Sequence, residues 1–425
     1  MADSLNDLRS EARDHYISRR EFITRATALG LSLPAAAGFL ESCASNTPSS
    51  TSGRAIKMGA LIPVTGIFAI LAPAMKNNAQ MAVDDVNSRG GVNGSKITLL
   101  IEDTASDPPT AVQKAKKLIN DDKVDVIIGT LSSAERWAVA LSATNPAKAI
   151  YINPTYYEGG ICNRYFFNVG AIPNQQIDPF IPWLVDNKHV KSFFLGGSDY
   201  AWPHGSFAAV KSAVSKAGGQ IVGEEYSALG STDFSGTLRK MQGAKPDVIF
   251  PLYAGGDGIT FLKQLVGFGL HKSSVVASTA LSELVIGALP VQESTGWIAS
   301  FEYFMTIDSP ANKDFVQRYQ AKFGSDAIMD AIGEGMTTCV NLYVNGVQKA
   351  GSLDKEKVVD GMKAAQYADP KGSIKVDGTS QCAYLNDYVA VIAAPGSGAP
   401  WQRFQIQKTF SQIKPVQECR SSPPG

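Results

Sequence analysis

The 425-residue sequence has little of what metalloenzymes, nucleotide hydrolases and nucleic-acid binders are built from. Its four histidines, His15, His189, His204 and His271, are scattered, and none forms an HExxH pair or another ligand pair at helical spacing. No metal centre is expected from them. There is no GxxxxGK[ST] phosphate loop and no GxSxG nucleophile turn. The cluster RGGVNG at Arg89–Gly94 follows a helix pattern rather than a strand, so it reads as a helix stop and turn, not a dinucleotide fingerprint. Net charge is missing as well: 39 basic and 39 acidic residues cancel, which leaves no electrostatic footprint for nucleic acid. Cysteine is scarce, five in all, with no CxxC pair of the kind used by zinc sites and dithiol redox motifs. No catalytic residue and no cofactor is expected.

What is present begins with an export signal. Arg19 and Arg20 in SRREFITRA precede the apolar run Ala26 to Phe39, which has the length of a signal core and is too short to span a bilayer as a stable helix. The stretch resembles a twin-arginine signal. Leu40, Glu41, Ser42 and Cys43 resemble a lipobox, in which Cys43 would be lipidated and residues 44–54 would be a flexible tether; Glu41 departs from the small residue usual there. The small residues Ala35 to Ala37 offer a release site instead, so anchored and free forms both stay open. Export to the periplasm permits disulfides. Cys382 and Cys419, flanking a strand-rich C-terminal region, are the candidate pair, while Cys339 sits in a helix pattern as a buried thiol.

From Ile56 onward short apolar runs rich in β-branched residues alternate with helix-length segments. IKMGALIP, KITLLIED, VDVIIGT and AIYIN are separated by helix patterns at Pro73 to Arg89, Pro108 to Asn120 and Ala134 to Ala147. A second set starts at Lys191 and runs through QIVGEEY, DVIFPLY and SVVAS, the two sets being joined near Ala171 to Asp178. After a strand at Gly296 to Phe301 come helix patterns at Pro310 to Phe323, Met329 to Ala350 and Asp354 to Ala365, then strands around Tyr388 to Ile392 and Arg403 to Gln407. The expected fold is α/β: two doubly wound parallel-sheet lobes joined by three crossovers. Lobe 1 takes residues 55–172 and 301–380, lobe 2 residues 173–300 and 381–425.

In open parallel sheets ligands bind at the carboxyl ends of the strands. Those ends carry polar or aromatic turns here. The turn Gly197 to Gly205, GSDYAWPHG, makes Asp199, Tyr200 and Trp202 the first contact candidates. Ser132 and Ser133 stand where a helix begins, so hydroxyls and backbone N–H groups there suit a carboxylate or carbonyl oxygen, with plain helix capping as the alternative. Phe68, Tyr156, Tyr200, Trp202 and Tyr253 fall at or beside strand ends, where rings facing a closing cleft supply apolar walls. Gly255 follows Tyr253 and permits close backbone approach.

NPTYYEGGICNRYFFNVGAIPNQQIDP, GSDYAWPHG and GEEYSALGSTDFS resemble the periplasmic solute-binding proteins of ABC importers for branched-chain amino acids, the urea and short-chain amide branch above all. The resemblance implies a type I periplasmic binding fold, two lobes closing on a solute, no catalysis, a membrane permease as partner, and a monomer or weak dimer. It also implies that Ser133 and Thr155 hold a ligand carboxylate or amide oxygen and that Trp202 forms an aromatic wall. Three positions depart from it. An aromatic residue of the amide branch is replaced by Leu131, a tyrosine by Asn153, and the carboxylate of amino-acid binders is absent near Thr279. The pocket is therefore expected to be larger than one for urea, suited to a bigger amide or an organic or aromatic acid, with Glu283 and Asp257 able to receive a cation. The alternatives are a sensory module reporting the same ligand to a signalling protein and, more remotely, an exported enzyme.

Overall fold

A computed structural model describes residues 54–396 and 398–424, so the expectations for the export signal, Cys43 and the tether up to Gly53 lie outside the described residues. Each apolar run becomes a strand because it has two faces to bury. In β1 (Ile56–Ile62), Met58, Ala60 and Ile62 join one core and Leu61 joins another. With β2 (Ile97–Asp103), β3 (Val126–Gly129), β4 (Tyr151–Asn153) and β5 (Phe166–Asn168) it makes a five-stranded parallel sheet of order β2-β1-β3-β4-β5. Helix α1 (Ala72–Ser88) contributes Met75, Ala79 and Val83 to the first of these cores. On the other face Ala111, Ala115 and Leu118 of α2 (Pro108–Asn120) and Trp137 of α3 (Ser133–Val139) meet Leu61, Ile127 and Tyr151. The helix starts are fixed locally. Asp107 accepts from Thr110 N–H at 2.9 Å ahead of two prolines, and Ser132 and Glu135 form a reciprocal capping box. The predicted helix Ala134 to Ala147 is broken by a π turn, Ala140–Thr144, before a last helical stretch Asn145–Ala147.

Where the two sets of strands were expected to be joined, near Ala171 to Asp178, the chain forms α4 (Pro173–Lys188), a helix with Pro179 and Pro182 inside it. Burial of Ile177, Phe180, Ile181 and Leu184 outweighs the hydrogen bonds those prolines remove. A second sheet follows, built on β6 (Ser192–Ser198), β7 (Gln220–Ser227), β8 (Val248–Leu252), β9 (Val275–Ser278) and β10 (Ile298–Phe301), all parallel in the order β7-β6-β8-β9-β10. Phe193 and Leu195 share a core with Phe207 and Val210 of α5 (Ala201–Lys216). Phe194 and Ile249 face α6 (Ser235–Ala244) and α7 (Gly255–Gly267) through Leu238, Met241, Phe261 and Leu265. Beyond β10 the sheet turns antiparallel, through β13 (Ala383–Ile392), which pairs on its other side with β14 (Phe404–Ile413), and the hairpin β11 (Gln366–Asp369) and β12 (Gly372–Val376).

The short α8 (Glu283–Gly287) lies after β9, and α9 (Pro310–Phe323), α10 (Ala331–Ala350) and α11 (Lys355–Lys363) come after β10. Helix α10 is buried along most of its length and packs on α1, β3 and β4. Both sheets lie in one compact unit, Ala55–Val92 with Lys96–Gly425.

The expected Cys382–Cys419 disulfide is corrected: Cys162 bonds Cys419, with 5.4 Å between their Cα atoms, and Cys382 is a buried free thiol like Cys339. The reason lies in the tail after β14. The Asn174 side chain holds both Lys414 O (2.8 Å) and Val416 N–H (2.9 Å), and Gln417 Oε1 accepts from Gly160 N–H at 2.8 Å, which carries Cys419 away from β13 to the loop after β4.

Candidate ligand-binding site

A cavity walled by polar and aromatic residues lies where the strands end. From the first sheet come Ile70 and Leu71 after β1, Leu131 and Ser133 after β3, and Thr155 and Tyr156 after β4. The second sheet supplies Tyr200 and Trp202 after β6, Tyr253 and Gly255 after β8, and Ser282, Leu284 and Val285 after β9. Asp330 and Ile332, at the start of α10, complete it. The cavity volume is about 40 Å³, about three times the roughly 10–15 Å³ that one water requires.

The rings form a connected wall. Tyr156 lies 5.6 Å from Trp202 and 5.4 Å from Phe301, and Trp202 lies 6.2 Å from Tyr200, all tilted or edge-on. Burial pushes the Tyr156 and Tyr200 hydroxyls well above their ordinary titration range, so both stay protonated at neutral pH. Behind Ser133 sits a fixed polar cluster. Ser133 Oγ donates to Glu158 Oε2 at 2.5 Å and accepts from Arg136 Nη1 at 2.9 Å. Arg136 is fully buried and also donates to Asn153 Oδ1 (2.7 Å) and to Leu131 O (2.8 Å), while Trp137 Nε1 donates to Glu158 Oε1 at 2.6 Å. Thr155 Oγ1 donates to Thr130 O at 3.2 Å. Asp330 caps α10 by accepting from Gly333 N–H at 3.0 Å; burial is the main influence on its carboxyl and raises its pKa.

The two sheets touch on both sides of this cavity. Gly256 N–H donates to Ile67 O at 3.2 Å, and Gly255, with φ of +55°, has no room for a Cβ, which would lie 2.5 Å from that same carbonyl. At the other side a Cβ on Gly205 of α5 would lie 2.5 Å from Cβ of Glu158.

Of the predicted contacts, Leu131, Ser133, Thr155, Tyr156, Tyr200, Trp202, Tyr253 and Gly255 are brought together around the cavity. Four stand behind its wall. Phe68 is a core residue against Gly255, Ser132 is the cap of α3, Asn153 is saturated by Arg136, Asn168 and Thr155, and Thr279 is buried beside the lining residue Ala280. Asp199 bonds His204 at 2.7 Å on the exterior, because β6 extends to Ser198 and α5 already begins at Ala201, shortening the predicted turn to Asp199 and Tyr200. Neither proposed cation receiver lines the cavity: Glu283 accepts from Met305 N–H at 2.8 Å and Asp257 from Gly230 N–H at 2.7 Å. The sequence reading missed Asp330. The spacing Asp330 to Gly333 at the head of a helix pattern marks a cap, but only the return of α10 to the first sheet brings it to the cavity.

The profile of the periplasmic binding protein family matches residues 55–393. The chain belongs to this family. A leucine-, isoleucine-, valine-, threonine- and alanine-binding protein of Pseudomonas aeruginosa is 27% identical over 335 residues, covering 76% of this chain and 86% of that one. A periplasmic binding protein from Burkholderia mallei superimposes with a TM-score of 0.78 at 23% identity, covering 87% of this chain and 99% of its own. A solute-binding protein of an ABC transporter from Rhodopseudomonas palustris BisB5, solved with 3,4-dihydroxybenzoic acid, gives 0.76 at 24%, covering 85% and 98%. The fold is the type I periplasmic binding fold, and this periplasmic binding protein stands among solute binders rather than enzymes. No helix of its described residues is long and apolar enough to cross a membrane.

Proposed function

We propose that the protein is the extracytoplasmic solute-binding component of an ABC importer and captures one small organic solute, an amino acid, an amide or an aromatic acid, by closure of two lobes. The observation that carries this reading is the cavity itself, walled by strand ends of both sheets and flanked by the Gly256–Ile67 and Gly205–Glu158 contacts. Lobes of residues 55–172 with 301–380 and 173–300 with 381–425 hinge at the three crossovers, and closure excludes water around the ligand's polar end. The named ligands of the relatives, apolar amino acids in one and a dihydroxybenzoate in another, match a wall that is mostly aromatic and aliphatic with a few polar groups. Phe68, Ser132, Asn153 and Thr279 support the wall from behind. A membrane permease is the partner of the closed form, the twin-arginine-like signal exports the chain, and Cys43 is the candidate lipid anchor.

The test is a thermal-shift screen of the exported protein, followed by calorimetry, against L-leucine, L-phenylalanine, benzoate, 3,4-dihydroxybenzoate, benzamide and urea. Selective binding to the native state raises the melting temperature. At least one member is expected to do so with 1:1 stoichiometry; a panel without a single binder would sink the proposed ligand class.

A further inference from the structure

The hydrogen bonds behind the cavity decide which way the Ser133 and Thr155 hydroxyls point. A serine hydroxyl has one proton and two lone pairs, a guanidinium can only donate, and a carboxylate can only accept. At Ser133 Oγ, Arg136 Nη1 takes one lone pair at 2.9 Å, and Glu158 Oε2, at 2.5 Å, takes the proton. One lone pair is left for the cavity. Thr155 Oγ1 gives its proton to the carbonyl of Thr130, so it too offers the cavity only lone pairs. The two hydroxyls that the family resemblance assigns to a ligand carboxylate or amide oxygen are therefore turned the other way.

We infer that Glu158 sets the polarity of the site, so that the ligand meets Ser133 and Thr155 with N–H or O–H donors rather than with a carboxylate. Glu158 is a positioning residue: it is nine-tenths buried or more, and it acts through Ser133, which lines the cavity. Its own orientation is fixed from three directions. Trp137 Nε1, a donor only, holds Oε1 at 2.6 Å; the following loop is held by the Gly160 N–H to Gln417 bond; and the Cys162–Cys419 disulfide ties that loop to the tail. Arg136 cannot turn to meet a ligand carboxylate, because Nε and Nη2 are held by Asn153 Oδ1 and Leu131 O. Asp330, the carboxyl group on the wall, is a further acceptor when ionised, with no basic side chain among the groups that influence it. The matching chemistry is an apolar body carrying an amide NH₂, an ammonium or a hydroxyl.

The inference rests on the solute-binding reading above and sharpens its ligand class. It is tested with isosteric pairs that differ only in donors: benzamide against benzoate and isovaleramide against isovalerate, with phenethylamine and benzyl alcohol separating ammonium from hydroxyl. Calorimetry on the wild-type protein is expected to favour the donor member of a pair by at least about tenfold, since a site built for a hydrogen-bonded group rejects the analogue lacking it. In Glu158→Gln, Trp137 keeps the amide oxygen and the NH₂ faces Ser133, which turns the serine proton into the cavity; the preference should fall or reverse. Ser133→Ala should weaken the donor ligand by about tenfold and leave the carboxylate unchanged. Carboxylates bound as tightly as their amides, with a ratio unmoved in both variants, would overturn the inference while leaving the solute-binding reading intact. If no probe binds, both fall.

Discussion

Glu283 shows how burial converts a surface-type residue into a pH-dependent one. Burial is the largest influence on its carboxyl and raises it from an ordinary 4.5 to about 8, with one oxygen accepting from Met305 N–H and the other unpartnered. Between those values the folded chain holds a proton that the unfolded chain has lost. Its contribution to stability is thus full below about pH 4.5 and is lost as pH rises through 8, a loss of up to about 4–5 kcal/mol by linkage. Glu283→Gln keeps the acceptor for Met305 and should gain a few kcal/mol over wild type at pH 8 and little at pH 4.5. Urea unfolding at the two pH values checks this, and parallel pH profiles would refute it. Trp202 is a wall residue and a core residue together, only 6% exposed and in contact with Tyr156. Trp202→Ala should weaken ligand binding by a few kcal/mol and also destabilise the ligand-free protein by about 2–4 kcal/mol, as loss of a buried indole does. Calorimetry and denaturant melts read the two effects separately.

At the scale of elements, the sheet contacts flanking the cavity depend on helix starts that lack side chains. The first residue of α7 is Gly255, and α5 reaches Glu158 through Gly205. Gly205→Val and Gly255→Ala should hold these helix starts off the first sheet, raise the ligand dissociation constant about tenfold or more and increase the radius of gyration by small-angle scattering. Unchanged affinity in both would mean that these contacts take no part in binding. The strands and most helices were legible because period-two and helical apolar patterns report burial directly. Helix α4 was not, because its prolines argue against the helix that packing of Phe180 and Leu184 maintains, and α5 began earlier than its apolar pattern because Trp202 and Pro203 read as a turn.

For the whole molecule, the Cys162–Cys419 bond closes a loop across a sequence separation of 257 residues and joins the tail after β14 to the loop after β4. Replacing both cysteines by serine, or reducing the bond, should cost about 2–5 kcal/mol of stability. Thermal unfolding with and without reductant measures it; equal melting temperatures would show that Asn174 and Gln417 hold the tail without the disulfide. The pairing was beyond the sequence because Cys382 and Cys419 bracket the β13–β14 hairpin, and only the course of the tail shows that it leaves the hairpin for another loop.

The sequence by itself determined the α/β alternation, the family, and eight of the residues around the cavity, because strand-end turns after apolar runs are local signals. Tertiary structure decided the rest. Asn153 and Ser132 turned from contacts into supports because Arg136 and Glu135 occupy their polar atoms. Asp330 joined the wall because α10 crosses back over the first sheet. The direction of the Ser133 proton was decided by Glu158, which lies 25 residues away along the chain and 2.5 Å away in space, and no sequence pattern encodes that distance.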